Sequence, residues 1–212
     1  MFKNLFGKKN SPAVEKFLES MKIDSEKGRV GIGYDLKVLK ELNAEELKQV
    51  EAILIPRKDK DWRDVDALMA LNTPKAIEAV KSCLNSPNLE VKIRAAKLLK
   101  ENNIQDSIED VVINTLPNTK IGGGMVEILR LAKAYPTEKI KQKVVWCALN
   151  GNDSIRVHCA AMALFLYGKA ASDFDSNQKI VFNFKTDDKS KRMEAFNELC
   201  GMIGVNPKDF IN

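Results

Sequence analysis

The densest run of chemically capable side chains is Asp59-Lys60-Asp61-Trp62-Arg63-Asp64-Val65-Asp66. Carboxylates gathered around an indole suit acid–base work, or the capture of a cation, if one of them is stripped of water. The same residues also read as a helix start, with Asp61 as its cap, Asp64 and Asp66 against the positive first turn, and Trp62 at an apolar position. Trp62 and Arg63 are, besides, residue types that anchor protein interfaces. Soft ligands are few: the only histidine, His158, stands beside Cys159 and eleven residues after Cys147. A zinc site needs three or four converging ligands and there is no CxxC pair, so this spacing points to cysteines packed in a helical hairpin. A Ser-His-Asp or Cys-His set would also depend on His158, which is placed mid-helix. Gly31-Ile32-Gly33-Tyr34-Asp35 lacks the preceding strand and third glycine of a dinucleotide fingerprint and reads as a turn. Ile121-Gly122-Gly123-Gly124 offers free backbone N–H groups to an anion, but no Lys-Ser or Lys-Thr follows, and its glycines weaken a helix start. The expectation is no catalytic set, no metal and no cofactor.

Basic side chains cluster as Lys92, Arg94, Lys97 and Lys100 in one stretch and as Lys139, Lys141 and Lys143 in another. With 34 basic against 29 acidic residues the net charge is only +5, and aromatic residues are 7% of the chain. That balance is too mild to demand a nucleic-acid partner, and the lysines read as solvated helix faces.

The elements that position these residues are helical. Val14, Phe17, Leu18 and Met21 follow a three-four spacing, as do Leu36, Leu39 and Leu42, then Leu47, Val50, Ile53 and Leu54. One stretch alternates instead: Ile180, Phe182 and Phe184 against Lys179, Val181 and Asn183. It is expected to be an extended connector pinned to the core by its aromatic rings, with a short helix as the alternative.

An internal repeat organises the rest. Val91-Lys92, Ala95-Ala96 and Leu99 match Ile155-Arg156, Cys159-Ala160 and Ala163, an apolar-basic pair, a small pair and an apolar residue at fixed offsets. The pattern returns at Trp62-Arg63 with Asp66-Ala67 and Ala70, at Lys191-Arg192 with Ala195-Phe196 and Leu199, and degenerately at Ile121-Gly122 with Met125-Val126 and Leu129. Small pairs let helix backbones approach closely. Between the copies, Thr73-Pro74 and Thr137 read as helix caps, with turns at Asn85-Ser86-Pro87-Asn88 and Asn150-Gly151-Asn152-Asp153.

Over residues 61–203 this pattern resembles the HEAT-repeat, armadillo-like family of α-solenoids, in its compact bacterial kind. The resemblance implies an all-α, right-handed α-α superhelix of about five helical hairpins. It also implies an inward-facing basic ladder, which here would be Arg63, Lys92, Arg156 and Arg192, interrupted at Gly122. An acidic residue near each helix start, Asp61, Glu90, Asp153 or Asp188, would pair with a neighbouring repeat's base. Partner-binding candidates on the concave face are therefore Arg63, Lys92, Arg156 and Arg192, with Trp62 and Asp64. The function implied is non-catalytic binding of another protein, in a narrower form as an immunity or regulatory partner of a bacterial toxin or effector. The second reading comes from helical-repeat DNA glycosylases, with Asp64 stabilising positive charge and Trp62 or Trp146 stacking on a base.

The organisation expected is a flexible basic tail over 1–12, capping helices over 13–60, and the repeat array over 61–212, all in one compact domain. Phe2, Leu5 and Phe6 with three lysines hold too little apolar area for stable membrane anchoring. No stretch reads as a signal peptide or a transmembrane span, so the chain is expected to be a cytoplasmic monomer. Cys83, Cys147, Cys159 and Cys200 read as reduced core thiols.

Overall fold

The computed structural model describes residues 10–175 and 177–211, and the side chains of Lys27 and Arg29 are outside that description. Of the tail expected over 1–12, residues 1–9 therefore lie outside the described residues, while Ser11 and Pro12 begin the first helix. Every regular element among the described residues is helical. None of these helices is long and apolar enough to cross a membrane. The chain divides into two compact units, one ending at Leu99 and the other beginning at Lys100.

In the first unit, α1 (Pro12–Ser20) starts where Ser11 accepts from the Val14 amide, and buries Val14, Phe17 and Leu18. After the short α2 (Ser25–Arg29) and a 3-10 turn over Leu36–Glu41, α3 (Ala44–Leu54) is set by a full capping box. The Asn43 side chain accepts from the Glu46 amide and Glu46 accepts from the Asn43 amide, so two otherwise orphaned donors are satisfied together. Helix α4 (Trp62–Leu71) is capped by Asp61, and α5 (Pro74–Ser82) by Thr73 with Pro74 at its first position. These caps match the sequence reading. Phe17 and Tyr34 meet edge to face at 6.1 Å in the core. Helix α6 (Leu89–Glu101) buries Val91, Ala95, Ala96 and Leu99, the apolar and small positions of the repeat.

In the second unit, α7 (Ile108–Thr115) and α8 (Met125–Ala134) precede the tightly packed pair α9 (Glu138–Asn150) and α10 (Asp153–Leu166). Ile155, Cys159, Ala160 and Ala163 are fully buried, as their repeat positions require. The repeat copy at Ile121 is different. Lys120 to Gly124 form a turn, with Gly122 and Gly124 at φ of 78° and 82°, and α8 begins only at Met125. Those backbone angles suit glycine and break the register.

The alternating stretch is corrected as well. Lys179–Lys185 is a 3-10 helix, the short-helix alternative, and it buries Ile180, Val181 and Phe184 while Phe182 faces outward. It packs on α10 and on α11 (Lys189–Ile203), which Asp188 caps. A final 3-10 turn over Pro207–Phe210 sets Phe210 against Phe196 at 6.0 Å. All four cysteines are free and buried.

Candidate functional site

Two of the four ladder positions are corrected, because their side chains turn inward. Arg63 is 6% exposed. Its Nε donates to the Ile32 carbonyl at 2.6 Å, and its Nη1 donates to both oxygens of the cap residue Asp61 at 3.1 and 3.0 Å. Arg156 is 5% exposed. Its Nε donates to Phe184 O at 3.1 Å, its Nη1 to Gly151 O at 3.4 Å, and its Nη2 to Thr186 O at 3.3 Å. Carboxylates of Asp153 and Asp187 complete the shell at 2.7 and 3.2 Å. Arg192, half-buried, donates to the same Thr186 carbonyl at 3.0 Å. The structure thus joins Arg156 and Arg192 on one loop. Lys92 is half-buried on α6, with no ion pair among the described residues.

A physical reason connects these arginines. Each stands in the first turn of its helix and turns onto loop carbonyls, Arg63 onto Ile32 far earlier in the chain, Arg156 onto Gly151 before its helix and Phe184 and Thr186 beyond it, and Arg192 onto Thr186. The planar fork lets Arg156 serve several at once. The acidic residues behave accordingly. Asp61 and Asp153 pair with the base of their own helix rather than a neighbouring repeat's, and Asp188 accepts from the Ser190 and Lys191 amides.

Asp64 is fully enclosed, at 0% exposure. Its Oδ1 accepts from the Tyr34 hydroxyl at 3.1 Å and from Arg57 Nε at 3.2 Å, while its Oδ2 has no hydrogen-bond partner. Burial raises its pKa against the pull of Arg57, and burial with the nearby Asp64 charge pushes the Tyr34 hydroxyl up to about 12. An enclosed carboxylate offers no face to a substrate, so Asp64 serves here to tie the 34–35 loop to α4.

Trp62 is half-buried, with Arg63 over its ring at 4.5 Å and Arg94 at 5.4 Å. Arg94 in turn holds Asp66 through two nitrogens. Trp146, in the second unit, borders a groove of about 730 Å3 shared with Gln142, Tyr167 and Phe210. Lys143 Nζ lies 4.0 Å from the centre of its ring. Cys147 and Cys159 face each other in the core, and the Cys159 thiol is pushed well up by burial and then by Cys147. No group of three or more metal-ligating side chains gathers among the described residues.

What the sequence reading missed is an exposed aromatic row in the second unit. Phe174, 43% exposed, lies against His158 with the rings tilted by 40° and their centres 5.3 Å apart, and meets Phe182, 48% exposed, edge to face at 6.3 Å. Burial lowers the His158 pKa. The available signal was Phe174 alone in the polar run Ser172-Asp173-Phe174-Asp175, where nothing local demands an aromatic ring. Phe182 heads a groove of about 520 Å3 between the 3-10 helix and α11. No family model, curated protein or solved structure matches this chain.

Proposed function

We propose that this chain is a non-catalytic, protein-binding module built from HEAT-like helical repeats, and that it docks its partner on the Phe174–Phe182 surface. The observation that carries this reading is the aromatic row itself. Two phenyl rings half open to water, in contact with each other and beside a groove, are a composition that binding sites favour and monomer surfaces avoid. The buried arginines support the same division of labour, since Arg156 and Arg192 hold the C-terminal end of the 3-10 helix that presents Phe182. A toxin or secreted effector is the partner class that the repeat resemblance implies.

Capture by the tagged protein tests it, with Phe174→Lys/Phe182→Lys as the control. The lysine stems keep apolar cover while setting charge at the rim. A protein retained by wild type and lost with the double variant supports the reading. Equal retention by both, or a salt-dependent gel shift with release of a base, would replace it.

A further inference from the structure

The groove of about 730 Å3 at Trp146 shares no residue with the Phe174–Phe182 surface, and its volume lies in the ordinary range of small-molecule sites. Of its charged side chains, Lys139 is paired with Glu109 and Glu138 with Lys141. The other two, Lys143 and Asp209, have no ion pair among the described residues. Lys143 has instead laid its ammonium over the Trp146 ring, 4.0 Å from the centre. The second ring of the lining, Tyr167, has the Lys141 ammonium at 5.6 Å.

Each feature left over in the groove favours positive charge. The faces of Trp146 and Tyr167 attract cations. Asp209 supplies an exposed, unpaired carboxylate, and Gly204 and Val205 bring the negative end of the fifteen-residue α11 to the same wall. The cation now on Trp146 suits it poorly. A primary ammonium carries three N–H donors, and an indole face offers them no oxygen. A quaternary ammonium has no donor to satisfy, so it loses less on leaving water, and its charge is spread over methyl groups that pack on aromatic carbon.

We propose that the Trp146 groove is a binding site for a small quaternary-ammonium compound, and that Lys143 is a built-in competitor which rests on the ring until the ligand displaces it. This site goes beyond the protein-docking reading and stands or falls apart from it. The competitor fixes the sign of the decisive variant. If Lys143 were the receptor for an anion, removing its charge would abolish binding; as a competitor, its removal improves binding.

Choline is the probe, followed on the whole chain by calorimetry and by the broadening of its methyl proton signal. Its uncharged counterpart of the same shape, 3,3-dimethylbutanol, is the control. Choline is expected to bind with a Kd of about 1 mM, and the alcohol not to bind at about 10 mM. Lys143→Gln is expected to tighten choline at least about threefold, Asp209→Asn to weaken it about threefold, and Trp146→Leu to weaken it more than about tenfold. The Lys143 and Asp209 side chains hold no hydrogen bond among the described residues, so these two variants should fold and carry the test even where Trp146→Leu does not. No binding of choline at about 10 mM, equal binding of the alcohol, or a Lys143→Gln chain that binds choline no more tightly than wild type overturns the proposal. Saturable binding of inorganic phosphate that Lys143→Gln abolishes would likewise overturn it and assign the groove to an anion.

Discussion

Replacing Arg156 by leucine separates a structural clamp from a partner contact. The pairs with Asp153 and Asp187 add little, because those carboxylates are 75% and 86% exposed and solvent screens them. The weight lies in bonds from a buried cation to main-chain carbonyls. The two shorter ones, to Phe184 and Thr186, contribute about 1.5 kcal/mol each as charge-assisted bonds. The longer contact with Gly151 adds less, and the leucine side chain would leave the Phe184 carbonyl orphaned in a fully buried residue. The expected loss is about 3 kcal/mol, or about 6–12 °C in Tm for a chain of this size. Arg156→Lys should fall between, since an ammonium lacks the planar fork that reaches several carbonyls. Urea titration followed by circular dichroism measures this as a fall in midpoint at constant slope. A loss below about 1 kcal/mol accompanied by loss of partner capture would refute the clamp and return Arg156 to the binding face.

Gly151→Ala should destabilise by about 2 kcal/mol, because a Cβ there would come within 2.4 Å of the Ile155 side chain and 2.5 Å of the Cys147 carbonyl; an unchanged melting curve would contradict that packing. For Asp64, burial raises the folded pKa above the ordinary value, so the group's contribution is intact below about pH 4 and is lost as pH rises through the folded value. The stability of wild type minus Asp64→Asn should accordingly decline as pH is raised from about 4, and a flat difference would count against it. Thiol titration with an aromatic disulfide should find no fast-reacting cysteine in the native chain and all four in denaturant, since Cys83 and Cys200 are pushed up to about 11 and all four are buried; prompt labelling would show the core to be open.

Legibility in the sequence followed the range of the physics. Helix starts were readable because a cap is local: Asp61, Thr73 and Thr137 each accept an amide two or three residues ahead. The buried small pairs at Ala95-Ala96 and Cys159-Ala160 were readable because helical period fixes which positions share a face. The direction of Arg63 and Arg156 was not. A base in the first turn of a helix can point to solvent or turn onto a loop from elsewhere in the chain, and the carbonyls that decide it, Ile32 for Arg63 and Phe184 and Thr186 for Arg156, are brought there by tertiary packing. The alternation of Ile180, Phe182 and Phe184 misled for a related reason. In a 3-10 helix, residues three apart share a face, so Val181 and Phe184 go inward together and Phe182 is displaced to the surface. That displacement exposes the ring on which the functional reading depends.

Whether Phe174 and Phe182, rather than the arginine ladder, form the binding face is tested most directly by partner affinity. The measurement sets Phe174→Lys/Phe182→Lys beside Lys92→Glu, each checked for intact folding by circular dichroism. The aromatic variant is expected to bind more than about tenfold more weakly and the lysine variant to bind as wild type does. The reverse result, with Lys92→Glu disabled and the aromatic variant unaffected, would contradict the aromatic face.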